Sequence, residues 1–139
     1  MAKSTQLSTI YLNWLFKNGQ PYNRPHDRLW VGLLYNPPSE TGGIAEIYYE
    51  GYQRPELFLT APYKYGNSCT VGSQRDIIFP VVSYANEYLD NEMVSAVGVF
   101  DDPVSHDGLL FYGLLNKAYE LRSGFQYLFP AALFTIREY

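Results

Sequence analysis

The sequence predicts an all-β fold: an antiparallel β-sandwich of about seven or eight strands with one short N-terminal α-helix, in a single domain over residues 1–139. Three observations predict it. Short apolar runs alternate with clusters of Gly, Pro, Asn and Ser at fairly regular spacing, which is the pattern of strands and turns. No βα unit repeats, which argues against a parallel α/β sheet. Fourteen Tyr, eight Phe and two Trp supply side chains that suit pleated, half-buried surfaces. A chain of 139 residues with 47% hydrophobic content is long enough to bury roughly two thirds of its unfolded surface in one domain.

The elements follow in order. Residues 4–17, STQLSTIYLNWLFK, set Leu7, Ile10, Tyr11, Trp14 and Leu15 at helical spacing. Ser4 or Thr5 can cap the start and Asn18-Gly19 can stop it. This helix either covers a sheet edge or docks on a partner, and internal packing is the expectation. GQPYNRPHD (19–27) is a loop held extended by its prolines. LWVGLLY (29–35) reads as a strand stopped by Asn36-Pro37-Pro38. IAEIYYEGYQRPELFLT (44–60) reads as two strands broken at Gly51, with Pro55 requiring an edge or a bulge. Residues 62–74 predict a loop or short irregular hairpin, 77–84 a short strand, and 85–93 an acidic loop or helical turn. MVSAVGVFD (93–101) and GLLFYGLL (108–115) are strands, followed by a strand and turn at Ser123-Gly124 and a last strand, AALFTIREY (131–139).

Composition narrows function. The net charge is −4, and the ten basic residues are scattered, so the clustered Lys and Arg that bind phosphate are missing and no nucleic-acid partner is expected. The N-terminus lacks the uninterrupted apolar core of a signal peptide, and no run reaches the ~20 apolar residues of a membrane span. No membrane partner is expected, and synthesis in a cytoplasm is. Cys69 is the only cysteine, which excludes an intrachain disulfide and reads as packing rather than as a nucleophile. Asp101, Asp102, His106 and Asp107 lie in DDPVSHD without the spacing of calcium or zinc ligands, so they read as a hairpin tip. His26 beside Asp27 could orient a base but has no nucleophile. Glu46, Glu50 and Glu56 could supply a glycosidase pair only in a cleft that so small a chain hardly builds. Phosphate-binding glycine loops are absent. The expectation is therefore no catalytic, metal or cofactor site and no enzyme activity. The excess of tyrosine hints at assembly.

The order of several short motifs adds to this. LWVGLLYNPPSETGG, AEIYYEGYQRPEL, IIFP and VSAVGVFDDPVSHDGLLFYGLL together resemble a family of small tailed-bacteriophage virion proteins, often labelled tail fibre proteins. Glu46 with GYQR (51–54) matches an acid-then-"GYaR" element, and GVFDD…DGLLFYGLL is the best-kept part. The resemblance implies a hairpin at FDD…DG whose acids cap the turn, with Gly108 at positive φ. It also implies a non-enzymatic, tail-associated virion component serving as fibre, baseplate or adhesin support. Other phage structural proteins and copies of itself would be its partners. A capsid decoration or cement protein is the alternative, and a carbohydrate-binding module that reads host-surface glycans through tyrosines is a second one. Trp14, Tyr48, Tyr49, Tyr52 and Arg54 are the candidate interface residues, because aromatic anchors and arginines carry most interface energy.

Overall fold

A computed structural model describes residues 1–16, 28–39, 43–82 and 93–138. The expected loop at 19–27, with His26 and Asp27, and the acidic segment up to residue 92 lie outside these. Strand β1 (Ala2–Lys3) leads into helix α1 (Thr5–Phe16), followed by β2 (Leu29–Leu34), β3 (Glu56–Leu57), β4 (Tyr63–Tyr65) and β5 (Ser68–Gly72). Then come β6 (Ile77–Ile78), β7 (Met93–Phe100), β8 (Leu109–Glu120), β9 (Leu128–Phe129) and β10 (Thr135–Glu138). The architecture is all-β with one N-terminal helix, as the sequence predicts. A five-stranded sheet runs β1-β8-β7-β2-β3, and sheets of order β10-β5-β4 and β6-β9 complete the fold. Every strand pair among the described residues is antiparallel.

The large sheet buries both faces, which is why LWVGLL and MVSAVGVF read as nearly continuous apolar runs. Val31, Leu33, Val97 and Val99 share one face, by the register Val31↔Val99 and Leu33↔Val97. They meet Leu57, Ile77, Phe79, Phe134 and Ile136 in the main core. On the opposite face Leu34, Ala96, Phe100 and Leu109 form a second, smaller cluster. Five aromatic rings run through the main core in sequence, Tyr49, Tyr52, Phe79, Phe129 and Phe134, with centroids 5.2, 6.3, 6.2 and 5.7 Å apart. Such spacings are those of favourable aromatic pairs.

Three differences from the sequence reading have local causes. The stretch 44–60 makes an isolated bridge near its end, Leu59↔Ser73, and before it only the bridge Leu34↔Glu46 and the two-residue β3. Between them the chain leaves β2 in an arc that turns at Gly51, φ +83°, and Pro55 borders edge strand β3 as its missing N–H requires. Residues 62–74 are a regular hairpin of β4 and β5, turning at Gly66 with φ +59°. The stripe on α1 is only partly packed. Ser4 caps the helix, its Oγ accepting from the Leu7 amide at 3.1 Å, and Leu7 and Ile10 are half-buried. Tyr11 and Trp14 remain exposed, so internal packing accounts for one end of the helix and not the other.

Gly32 and Gly98 face each other across β2 and β7 and open a slot for the Phe100 ring on the smaller-cluster face. A Cβ on Gly32 would lie 2.6 Å from Glu46 Oε2 and 2.8 Å from Phe100 Cε2, and one on Gly98 would lie 2.9 Å from the same ring atom. No side chain fits there without moving the ring. We expect Gly32→Ala and Gly98→Ala each to destabilise by about 1–3 kcal/mol, the usual range for overpacking, in urea denaturation. An effect below about 0.5 kcal/mol, the ordinary range for surface substitutions, would mean that the slot is not required.

Candidate functional site

On the Phe100 face, three segments distant in sequence converge. The arc 47–54 follows Glu46, which sits beside Leu34, and returns Arg54 to the sheet. The loop 101–107 between β7 and β8 folds over both. The arc interrupts the pairing along β2: Ile47 N donates to Leu33 O at 2.9 Å and Val31 N to Pro55 O at 3.0 Å, leaving the Leu33 amide between them. Tyr52 fills that gap, its hydroxyl accepting from Leu33 N at 3.0 Å and donating to Glu46 Oε2 at 2.8 Å.

Arg54 is the centre. Its guanidinium lies 3.6 Å from the Phe100 ring centroid, and its side chain is 2% exposed. Nε and Nη2 bind the two Glu46 oxygens at 2.8 and 2.7 Å in a bidentate fork. Nη1 donates to the carbonyls of Asp102 at 2.7 Å and Ser105 at 3.1 Å. Four of the five N–H donors of a guanidinium are thus used. Glu46 is saturated as well: Oε2 accepts from Arg54 and Tyr52, and Oε1 from Arg54 and from His106 Nε2 at 3.1 Å. An ionised carboxylate only accepts, so His106 carries its proton on Nε2.

The loop is shaped to present those carbonyls. Asp102 Oδ1 accepts from the amides of Val104 and Ser105 at 2.8 and 2.7 Å, and Ser105 Oγ accepts from Asp107 N at 3.2 Å. The tip is a capped turn, but Gly108 does not have positive φ, contrary to the expectation. It is glycine because a Cβ there would collide with Asp101 Oδ1 and sit 3.1 Å from Asp102 Cβ. Asp101 is buried beneath, and burial and the neighbouring Asp102 raise its carboxyl above the usual range. Among the described residues no three His, Cys, Asp or Glu side chains gather to hold a metal. Glu46 is committed to Arg54, and Glu56 faces Arg28 at 3.6 Å, while Cys69, contrary to the packed position expected of it, lies exposed on β5 in another sheet. The geometry is that of a clamp that fastens two loops to a sheet.

The interface candidates separate into two groups. Tyr48, 71% exposed, and Trp14 face solvent. Tyr49 is fully buried and donates to Pro80 O at 2.6 Å, and Tyr52 and Arg54 are spent inside the clamp. In this fold Tyr49 and Arg54 are buried and bonded within the chain. The sequence reading missed His106 as a partner of Glu46, because the two lie 60 residues apart in separate motifs with no local signal joining them. Both motifs meet here.

The chain matches a family model, Podophage GP4 fiber I protein gp80, over residues 2–137. It belongs to that family. No curated protein matches it.

Removing one partner of a buried ion pair leaves the other unpaired, so Glu46→Gln and Arg54→Met should each cost about 3–5 kcal/mol, and Glu46→Leu with Arg54→Met together far less than the sum. Additive losses would show that the pair acts as two separate contacts. His106→Ala, at a 53% exposed side chain, should cost under about 1 kcal/mol.

The buried phenols predict an alkaline limit. Burial, and then Tyr127, pushes Tyr49 from 10.0 up to about 12. Burial, and then the Glu46 charge, raises Tyr52 as well. Between these values and the unfolded value the native state binds more protons than the unfolded one, so stability falls as pH rises above about 10, by at most ~1.4 kcal/mol per pH unit per phenol. Thermal melts across that range should slope downward, and the slope should flatten in Tyr49→Phe. An unchanged slope in Tyr49→Phe/Tyr52→Phe would assign it to other groups.

Proposed function

We propose that this chain is a non-enzymatic structural component of a podophage tail, in the fibre or at its attachment, made in the host cytoplasm and built into the virion. Family membership over nearly the whole chain carries the reading. The geometry agrees with it. The one cluster of interacting polar side chains between the two loops is saturated internally, whereas aromatic side chains such as Trp14, Tyr48, Tyr63 and Tyr65 lie at the surface, where a neighbouring subunit can use them as anchors. Its partners in this reading are other tail proteins and further copies of itself, met through a rigid β scaffold.

The test is the copy number of the chain in purified particles, by quantitative mass spectrometry against the major capsid protein. A handful to a few dozen copies is expected. Parity with the capsid protein would move the chain to the shell as a decoration protein, and its absence from particles would overturn the virion assignment.

A further inference from the structure

The exposed aromatic and aliphatic side chains of this molecule stand in two kinds of surroundings. A groove beside β8, with Leu114, Leu128 and Leu133 among its walls, is apolar throughout much of its lining. The outer face of the β10-β5-β4 sheet is composed differently. Side chains alternate across a strand, and Val71 and Ile136, a cross-strand pair, pack into the main core. Their strand neighbours Thr70, Gly72, Thr135 and Arg137 therefore point outward. With them go Tyr63 and Tyr65, which stand opposite Thr70 and Ser68. None of these residues is a Val, Leu, Ile or Met. The face is made of hydroxyls, a glycine, two phenol rings and one guanidinium.

The large side chains lie across the sheet. Arg137 is on β10 and Tyr65 on β4, with β5 between them, yet the guanidinium is 4.7 Å from the Tyr65 ring centroid. The two meet above β5, which seals Ser68 and Thr70 beneath them at 5% and 1% exposure. Ser68 Oγ donates to Tyr65 O at 2.7 Å and lies 3.3 Å from Thr70 Oγ1, so the buried hydroxyls are satisfied. Tyr63 leans over β5 as well, its hydroxyl 3.8 Å from the place of a Gly72 Cβ. Both rings keep about half their surface open to solvent. Arg137 is the unusual member. Arg54 and Arg122 bind carboxylates, and Arg28 faces one at 3.6 Å. Arg137 instead rests on a ring, with no ion pair or hydrogen bond among the described residues. Its five N–H donors are held in place and unspent.

We propose that this outer face binds an acidic saccharide, whose sugar ring packs its C–H surface on Tyr63 and Tyr65 while its carboxylate takes the Arg137 guanidinium. A carboxylate matches the planar fork of arginine in a way that a hydroxyl does not. Aromatic planes offer a flat apolar surface with a polar edge, which suits a ring that is apolar on its faces and hydroxylated at its rim. A neutral sugar would leave the guanidinium unmatched, and an apolar protein surface would find no aliphatic side chains here to pack against. The inference goes beyond the tail reading and stands on this sheet face alone.

Affinity electrophoresis of the full chain tests it, in gels containing polygalacturonate, alginate or polysialate, with dextran and dextran sulfate as controls. Retardation by at least one of the three carboxylate polymers is expected, and none by dextran. Tyr63→Ala/Tyr65→Ala and Arg137→Met should each weaken it at least about tenfold. Tyr65→Phe, which keeps the ring, and Tyr48→Ala, on the arc, should retain it, with circular dichroism unchanged. Methyl-esterified polygalacturonate checks the charge without altering the protein, and the wild-type chain should bind it as weakly as Arg137→Met binds the acid form. Retardation by none of the three polymers overturns the proposal. Equal retardation by dextran sulfate that survives Tyr63→Ala/Tyr65→Ala overturns it too, as attraction to any polyanion. So does a Tyr63→Ala/Tyr65→Ala chain that binds normally but drops out of particles, which would make the face a subunit contact. A chain that binds saccharide yet is absent from particles would keep the site and sink the tail reading, while one counted in particles that binds none would do the reverse.

Discussion

The bidentate pair of Arg54 and Glu46 is the interaction on which the arrangement of the loops depends. Taking two charges out of water costs several kcal/mol per ion unless the remaining donors and acceptors are matched. Here they are matched almost completely, by Tyr52, His106 and two loop carbonyls. The guanidinium also lies over the Phe100 ring, 3.6 Å from its centroid, which suits the weakly hydrated, planar cation. The pair in turn depends on small residues below it. Phe100 can lie under Arg54 because Gly32 and Gly98 leave the sheet bare there, so two glycines in register set the height at which a charge can be held.

Tyr52 connects this clamp to the interior. Its hydroxyl bridges the β2 backbone and Glu46, while its ring stacks at 13° to Phe79 within the aromatic row of the main core. The two faces of the large sheet are therefore coupled through one side chain that is apolar in its body and polar at its tip. This explains how an arc with little regular secondary structure, residues 47–55, can be a fixed part of the fold. Its backbone is tied at its two ends and across its turn: Ile47 N donates to Leu33 O, Tyr52 N to Tyr49 O, and Pro55 O accepts from Val31 N.

The surface follows the opposite logic. Charge is scarce, at 17% of residues, and large aromatic and aliphatic side chains stand exposed on α1, on β4 and at the groove beside β8. A domain whose internal clamp is saturated and whose outer surface keeps apolar anchors is organised for contact with other subunits. Rigidity matters to that use, since a surface held in place before binding loses less conformational entropy on docking.

The strands at 29–34 and 93–100 and the helix near 5–16 were legible in the sequence because their apolar periodicity and caps are local. So was the turn after Phe100, since Asp102 and Ser105 cap it through amides two or three residues away. The roles of Tyr49 and Arg54 were not legible. Tyrosine and arginine serve interiors and interfaces equally well, and what decided between them was whether their partners lay within this chain. Arg54 finds carbonyls 48 and 51 residues away, and Tyr49 finds one 31 residues away. The sequence by itself determined the strand-rich class, the single helix and the turn chemistry, through short-range sterics and hydrogen bonding. Only the tertiary structure decided which polar residues are sealed inside and which aromatics stay out, because burial depends on sheet register, and register brings together residues whose spacing along the chain carries no signal.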